Sequence, residues 1–334
     1  MRIIGAVDIG GTKIAVGAAT EDGRIISRVE CPTHPSLGFE PAMDRTKSML
    51  HEVAAHVGGD FVGIGVACPG PLDPLSGVIG EVGTLIGWQG ANLIAALETE
   101  FNVQVSVEND ADAAALAESK CGAGKGSSHL IYVTVSTGIG AGVILGGNLY
   151  RGVRAAHPEI GHQIIDASSG SRCYCKANGC WESLASGEAL MTWMQEQDPV
   201  PVPRTTEEIC FLAEQGEPLA QRAMDREGHY LGLGLANLIT VFAPDTIVLG
   251  GGVMKSSNLF LPRALNTIRE MCTQVPVENT TIALAALGID TGLAGAAQAW
   301  LSKNAGSQRN GIRTETTNQS VSPEVSDLSG RTQP

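Results

Sequence analysis

Three cysteines, Cys173, Cys175 and Cys180, crowd into eight positions and follow a histidine at a spacing that suits metal ligation. Three thiolates and one imidazole make a closed tetrahedral zinc site of the structural kind. His162 completes the pattern H-x10-C-x-C-x4-C, and His157 is the rival fourth ligand. Asn178-Gly179 supplies the turn that brings the third thiolate back. A second run, Asp8-Ile9-Gly10-Gly11-Thr12-Lys13, lies between two apolar strands. It is not a P-loop, which needs a strand, a loop, a helix and GxxxxGK[ST]. Its glycines still let successive N–H groups converge on one anion, and Thr12 adds a hydroxyl donor. Asp8 at the strand end can hold Mg²⁺ directly or through water. An ordinary glycine hairpin is the competing reading. Thr137-Gly138-Ile139-Gly140 repeats the design in the second half of the chain. Two such turns facing each other would grip a polyphosphate from both sides of a cleft.

The third run is Glu108-Asn109-Asp110, between a short strand, Val103 to Val107, and an Ala-rich helix. Open α/β sheets place ligand-binding residues at such carboxyl ends. Asn109 suits helix capping or ligand contact. Asp110 suits chemistry, because a carboxylate beside a helix N-terminus stays ionised, as a proton acceptor in phosphoryl transfer must. Strand alternation turns the competing carboxylate, Glu108, away from Asn109.

These runs sit on a repeated framework. Strands are predicted at Ile3 to Val7, Ile14 to Ala19, Arg24 to Glu30, Val62 to Ala67 and Val103 to Val107. Helices are predicted from about Pro41 to His56, Ala91 to Glu100 and Asp110 to Lys120. The segments VDIGGTKIAV (Val7 to Val16) and VSTGIGAGVIL (Val135 to Leu145) are both strand, glycine turn, strand, 128 residues apart, and point to a duplicated α/β lobe. After a loop-rich insertion, Arg151 to Ser183, come helices at Gly187 to Gln197 and Pro218 to Phe242 and a strand at Thr246 to Leu249. A turn at Gly250-Gly251-Gly252, a helix from about Leu259, a strand at Thr281 to Ala285 and a last helix at Thr291 to Ser302 complete the framework. From Lys303 onward the composition shifts to Ser, Thr, Asn, Gln, Gly and Pro with few aliphatics and is expected to stay disordered.

A chain of 334 residues that is 43% hydrophobic, 17% charged and holds 42 glycines fits a two-lobed α/β enzyme. The net charge of −13 argues against non-specific nucleic-acid binding, though backbone amides can still hold a phosphate. No signal peptide and no apolar run of about 20 residues is found, so a cytoplasmic protein without a membrane segment is expected.

DIGGTK at Asp8 to Lys13, END at Glu108 to Asp110, STGIGAG from Ser136, EIGH at Glu159 to His162 and the CxCxxxxC run resemble the ROK family of sugar kinases and repressors. The motifs come in the expected order over roughly residues 2 to 302. The resemblance implies a two-lobed actin-like ATPase (ribonuclease H-like) fold with duplicated lobes. It implies a small lobe at 1–118 plus 290–303, a large lobe at 119–289 with a zinc-binding loop at 157–183, and a tail at 304–334. It implies MgATP held by Asp8, Gly10, Gly11, Thr12, Lys13, Thr137 and Gly138, with Gly251 and Gly252 lining the adenosine pocket. A tight strand-to-helix turn is an equal reading of the last two. The metal ligands would be His162, Cys173, Cys175 and Cys180, and His162 is preferred over His157 because it occupies the EIGH position. Asp110 would be the base that takes the proton of a sugar 6-hydroxyl. Gly70, Asn109, Glu159, His162 and Glu182 would contact the sugar, with His162 using one ring nitrogen for zinc and the other for the sugar. The expected activity is ATP-dependent hexose phosphorylation, glucose first and N-acetylmannosamine or N-acetylglucosamine as alternatives, by a homodimer. One departure bears on the choice: many family glucokinases carry Asn-Leu-Pro-Gly-Trp where this chain has Thr84-Leu85-Ile86-Gly87-Trp88. A sugar-sensing repressor is the reading from another class; the first strand begins at Arg2, ahead of which a DNA-reading helix-turn-helix would have to fit. A sugar-binding protein without catalysis is the third, and the intact Asp110 weighs against it.

Overall fold

The computed structural model describes residues 2–304. Its first sheet begins with the antiparallel pair β1 (Ile4–Ile9) and β2 (Lys13–Ala19), extended by β3 (Ile25–Pro32). On the other side of β1 lie the parallel strands β4 (Gly63–Cys68) and β5 (Val105–Asn109), giving the order β3-β2-β1-β4-β5. Helix α1 (Phe39–Val57) packs on β2 and β3, and α2 (Leu93–Phe101) packs against β5. The α2 N-terminus is capped by Asn92, whose side chain accepts from Ala95 N at 2.9 Å.

The second sheet is built the same way. Strands β6 (Leu130–Val135) and β7 (Ile139–Leu145) form the antiparallel pair, and β8 (Asn148–Leu149) extends it. Parallel strands β9 (Thr246–Gly250) and β10 (Thr281–Leu284) follow on the far side of β6. The order β8-β7-β6-β9-β10 reproduces that of the first sheet strand for strand. The duplication expected from one pair of glycine hairpins therefore extends through all five positions.

Two helices join the halves. α3 (Asp110–Cys121) leaves β5 and packs on β6 and β7, while α9 (Thr291–Asn304) packs on β1, β4 and β5 and on α3. Both helices are rich in alanine because they run through the middle of the molecule, where only small side chains fit between sheets. Glu118, fully buried on α3, accepts from Ala123 N, Ala286 N and Leu287 N at 2.7, 3.0 and 3.2 Å. These three donors satisfy a carboxylate that burial would otherwise penalise.

The remaining helices cover the second sheet: the short α4 (Glu182–Ala185), α5 (Gly187–Gln197), α6 (Thr206–Glu214), α7 (Pro218–Phe242) and α8 (Leu261–Met271). α6 was not expected from hydrophobic period, yet it carries a full capping box, Thr205 with Glu208. Pro218 stands in the first turn of α7 and Glu217 caps it. One core lies under these helices around Trp181 and Phe260, and another around Trp88 in the first half. No helix among the described residues is long and apolar enough to cross a membrane. The tail expected to be disordered, 304–334, lies outside the described residues but for Asn304, which ends α9.

Candidate active site and metal centre

Asp8 is in the last turnward part of β1, beside the glycine turn. Gly10 N donates to Lys13 O at 2.9 Å, and Thr33 Oγ1 donates to Gly10 O at 2.6 Å, so the turn is held from outside. Gly11 has no room for a side chain: a Cβ there would come 2.7 Å from Thr84 Cβ. Thr84, the residue where this chain departs from many glucokinases, thus packs on the phosphate turn itself. Lys13 Nζ lies 3.2 Å from Glu30 Oε2 on β3, so its ammonium is paired on an exposed face. Enclosure in the site and the charge of Asp110 push the Asp8 carboxyl up to about 6, against the pull of Lys13 and Arg28.

Asn109 caps α3, its Oδ1 accepting from Ala111 N at 2.9 Å and Asp112 N at 3.3 Å. A Cβ on Gly70 would lie 3.2 Å from Asn109 Nδ2, so the Gly70 backbone borders the same spot. Asp110 follows with its carboxylate open to solvent between the sheets, and its Oδ1 accepts from Ala111 N at 2.8 Å. The helix N-terminus was expected to keep this group fully ionised. Instead the protein around it raises its pKa, the Ala111 N–H and His157 opposing that rise, while water reaching it from the cleft tempers the effect. Glu108 does point away, as strand alternation requires. It pairs with Arg151 and stands 3.9 Å from Lys303 Nζ, joining β5, α9 and the segment after β8. Sequence reasoning had no signal for that tie, because its members are far apart along the chain.

On the opposite sheet, Ser136 N donates to Gly138 O at 2.9 Å across the turn that contains Thr137 and Gly138. Glu182 Oε2 accepts from Ile139 N at 2.9 Å, which places this carboxylate directly under that turn. Gly251, after β9, has φ +95° and lies against the Val135 backbone, so the tight-turn reading of the glycine triplet holds. The same turn also borders a cavity of about 450 Å³ lined by Gly250, Gly251, Met254, Lys255, Ile289 and Thr291. Gly252 follows in helical conformation, beyond the positive-φ step.

Donor atoms of His162, Cys173, Cys175 and Cys180 all lie within 4.8 Å of one another. Cys173 Sγ is 3.5 Å from His162 Nδ1, and Cys175 Sγ is 3.6 Å from Cys180 Sγ. Tetrahedral ligation at ordinary zinc bond lengths requires about 3.6 Å for N···S and about 3.8 Å for S···S. The donor set fits. His157 is elsewhere, 2.9 Å from Asp112, and takes no part in the cluster.

The cluster holds Glu159, His162 and Glu182 as neighbours: burial raises the Glu182 pKa, with the Ile139 N–H and His162 opposing and Glu159 adding to the rise. Glu159 itself is exposed. Tyr174, between two of the cysteines, donates to or accepts from His162 Nε2 at 2.9 Å, with the rings at 5.0 Å and 78°. The ring nitrogen expected to meet a sugar is therefore occupied by a phenol that is itself 79% exposed. The aromatic within C-Y-C was the available sequence signal for Tyr174.

The ROK family model matches residues 4–303. A glucokinase of Halalkalibacterium halodurans is 30% identical over 316 residues, covering 89% of this chain and 94% of that one. The ROK hexokinase of Thermus thermophilus superposes with a TM-score of 0.82 at 35% identity, over 91% of this chain and 99% of that one. A ROK glucokinase of Streptomyces griseus, solved with glucose and AMPPNP, gives a TM-score of 0.75 at 31% identity, over 88% and 98% of the two chains. A xylose repressor of Bacillus spizizenii is 36% identical over 209 residues, 63% of this chain and 52% of the repressor.

Proposed function

The chain belongs to the ROK family, and from that premise we propose that it transfers the γ-phosphoryl group of ATP to the 6-hydroxyl of a hexose. Glucose is the favoured acceptor, with N-acetylmannosamine or N-acetylglucosamine as alternatives. The observation that carries the reading is the meeting of two carboxylates, Asp8 beside the first glycine turn and Asp110 at the head of α3, close enough that the charge of one raises the pKa of the other. Phosphoryl transfer needs both: one to hold the metal on the phosphates and one to receive a proton.

Asp110 would accept the 6-hydroxyl proton as the sugar O6–P bond forms and the bond from the γ-phosphorus to ADP breaks. The glycine turns Gly10 to Lys13 and Thr137-Gly138 would cradle the phosphates from the two sheets, and the cavity bordered by Gly251, with Gly252 next to it in the chain, would take adenosine. Mg²⁺, when bound at Asp8, would neutralise charge on the transferring phosphates. Gly70, Asn109, Glu159 and Glu182 would bind sugar hydroxyls, and a hydroxyl reaching His162 Nε2 would displace the Tyr174 phenol. Zinc at His162, Cys173, Cys175 and Cys180 would fix that loop. Closure of the lobes 1–118 plus 290–303 and 119–289 over both substrates would exclude water and limit ATP hydrolysis.

The test is ADP release with MgATP against glucose, mannose, N-acetylglucosamine and N-acetylmannosamine, for the wild type and Asp110→Asn. Turnover on one sugar is expected, with the variant losing about 10²- to 10⁴-fold in kcat, the range for general-base catalysis, while still binding sugar. Sugar binding without turnover on any of the four would move the chain to the sensor class. An Asp110→Asn enzyme of full activity would remove the assigned base.

A further inference from the structure

Phosphoryl transfer as described makes no use of His157, yet the structure places it against Asp112 on α3, two residues from Asp110. Its Nδ1 lies 2.9 Å from Asp112 Oδ2, an ion-pair contact without hydrogen-bond alignment, and Asp112 is 1% exposed while His157 is 16% exposed. The other oxygen of Asp112, Oδ1, is buried without a hydrogen-bond partner. A carboxylate so enclosed is costly unless a cation stands against it, and the imidazole of His157 is the cation that contacts it. The segment that delivers His157 is itself held in an unfavourable shape. Arg154 and Ala155 have φ +55° and +61°, consecutive left-handed residues that are not glycine. Such backbone persists only where surrounding contacts over-determine it. Here Gly152 N donates to Ala156 O at 2.8 Å, and the ion pair fixes the next residue to α3.

We infer that His157 is a positioning residue for the phosphoryl transfer: as an imidazolium anchored on Asp112, it keeps Asp110 ionised and ties the insertion carrying Glu159 to the helix that carries the base. The inference rests on the assignment of Asp110 given above. The groups facing His157 are Asp112 and Asp110 on α3 and Glu159 on its own segment, and all three are acidic. Beyond them, Glu108 on β5 lies near Asp112, and Asp8 on β1 lies near Asp110. Burial alone would lower the His157 pKa; the Asp112 contact and the three acidic charges outweigh it, and the net shift is upward. The cation in turn opposes the rise in the Asp110 pKa. As a bound sugar displaces water from the exposed face of Asp110, this protein charge becomes the more important one.

The experiment has two arms. In the first, kcat/KM is followed against pH for the wild type and His157→Gln, which keeps a polar side chain and removes the charge. The acid limb is expected to move up by about one pH unit in the variant, the effect of removing one nearby opposite charge. The two profiles should converge at high pH, where the wild-type imidazole is neutral as well. A uniform loss at every pH, or an unmoved limb, would overturn the inference. The second arm needs no activity and uses the ¹⁵N-histidine spectrum of the wild type and Asp112→Asn. One of the seven histidines should titrate above the ordinary value of 6.5, and its pKa should fall in the variant. If no histidine does so, the inference fails even where the kinase assignment stands. If the histidine behaves as expected but no sugar is phosphorylated, the ion pair stands and its catalytic role is overturned. If His157→Gln does not fold, His157→Asn replaces it in the first arm, with the same direction expected.

Discussion

Replacing Asp8 by Asn should stabilise the protein while disabling it, and the two effects have a calculable relation to pH. The Asp8 carboxyl titrates at about 6 in the fold against 3.8 for an ordinary aspartate, because enclosure and the charge of Asp110 disfavour its ionised form. A pKa raised on folding means the folded state binds the proton more tightly than the unfolded one. The associated stability is fully present below about 3.8 and is lost as pH rises through about 6. The whole shift, at 1.36 kcal/mol per pKa unit, amounts to at most about 3 kcal/mol, and about 1.4 kcal/mol of it disappears between about pH 5 and about pH 8. Asn at this position has the same shape and no charge. The stability gap between Asp8→Asn and wild type should therefore widen by about 1.4 kcal/mol over that interval. Urea unfolding of the nucleotide-free proteins at several pH values reads this gap from the midpoints. MgATP binding should change the opposite way, weakening in the variant at every pH and, in the wild type, weakening below about 6 as Asp8 takes up its proton. A gap that stays constant with pH would refute the enclosure argument. A variant that binds MgATP as well as the wild type would refute the metal role.

Glu227, fully buried on α7 with no partner for either oxygen, is a second test of the same linkage. Burial pushes its pKa from 4.5 to about 8, so stability should fall steadily as pH rises from about 4.5 to about 8, and Glu227→Gln should abolish that slope in urea unfolding. Cys175→Ser removes one of the four ligand atoms that lie within 4.8 Å. Metal analysis should find about one zinc per wild-type chain and much less in the variant, and sugar affinity should fall with it, since three donors bind far more weakly than four.

The parts that were legible in the sequence share a property: their signal is carried by neighbours along the chain. DIGGTK, END and the cysteine run each keep their chemistry within a few residues, and the structure brings them to the places that strand ends and turns dictate. The His-Cys donor set is a case where ligand types alone nearly define the geometry. What was not legible is long-range electrostatics. Asp110 reads as an ionised helix-cap carboxylate when only the helix N-terminus is considered; the fold adds enclosure, the neighbouring Asp112 adds its charge, and the balance moves upward. His157 reads as a spare metal ligand because it lies near the cysteines in sequence, whereas in space it belongs to Asp112 on α3. The Glu108 tie to Arg151 and Lys303 is of the same kind, three residues from three parts of the chain. The missed helix α6 is different: its capping box was written in Thr205 and Glu208, and a search by hydrophobic period alone passes over a helix announced by its ends. A common cause runs through the first three. A local motif specifies which groups react, but the charge state in which they react is set by residues that only folding brings near, so the pH behaviour of Asp8, Asp110 and His157 is where sequence and structure make different predictions and where measurement decides between them.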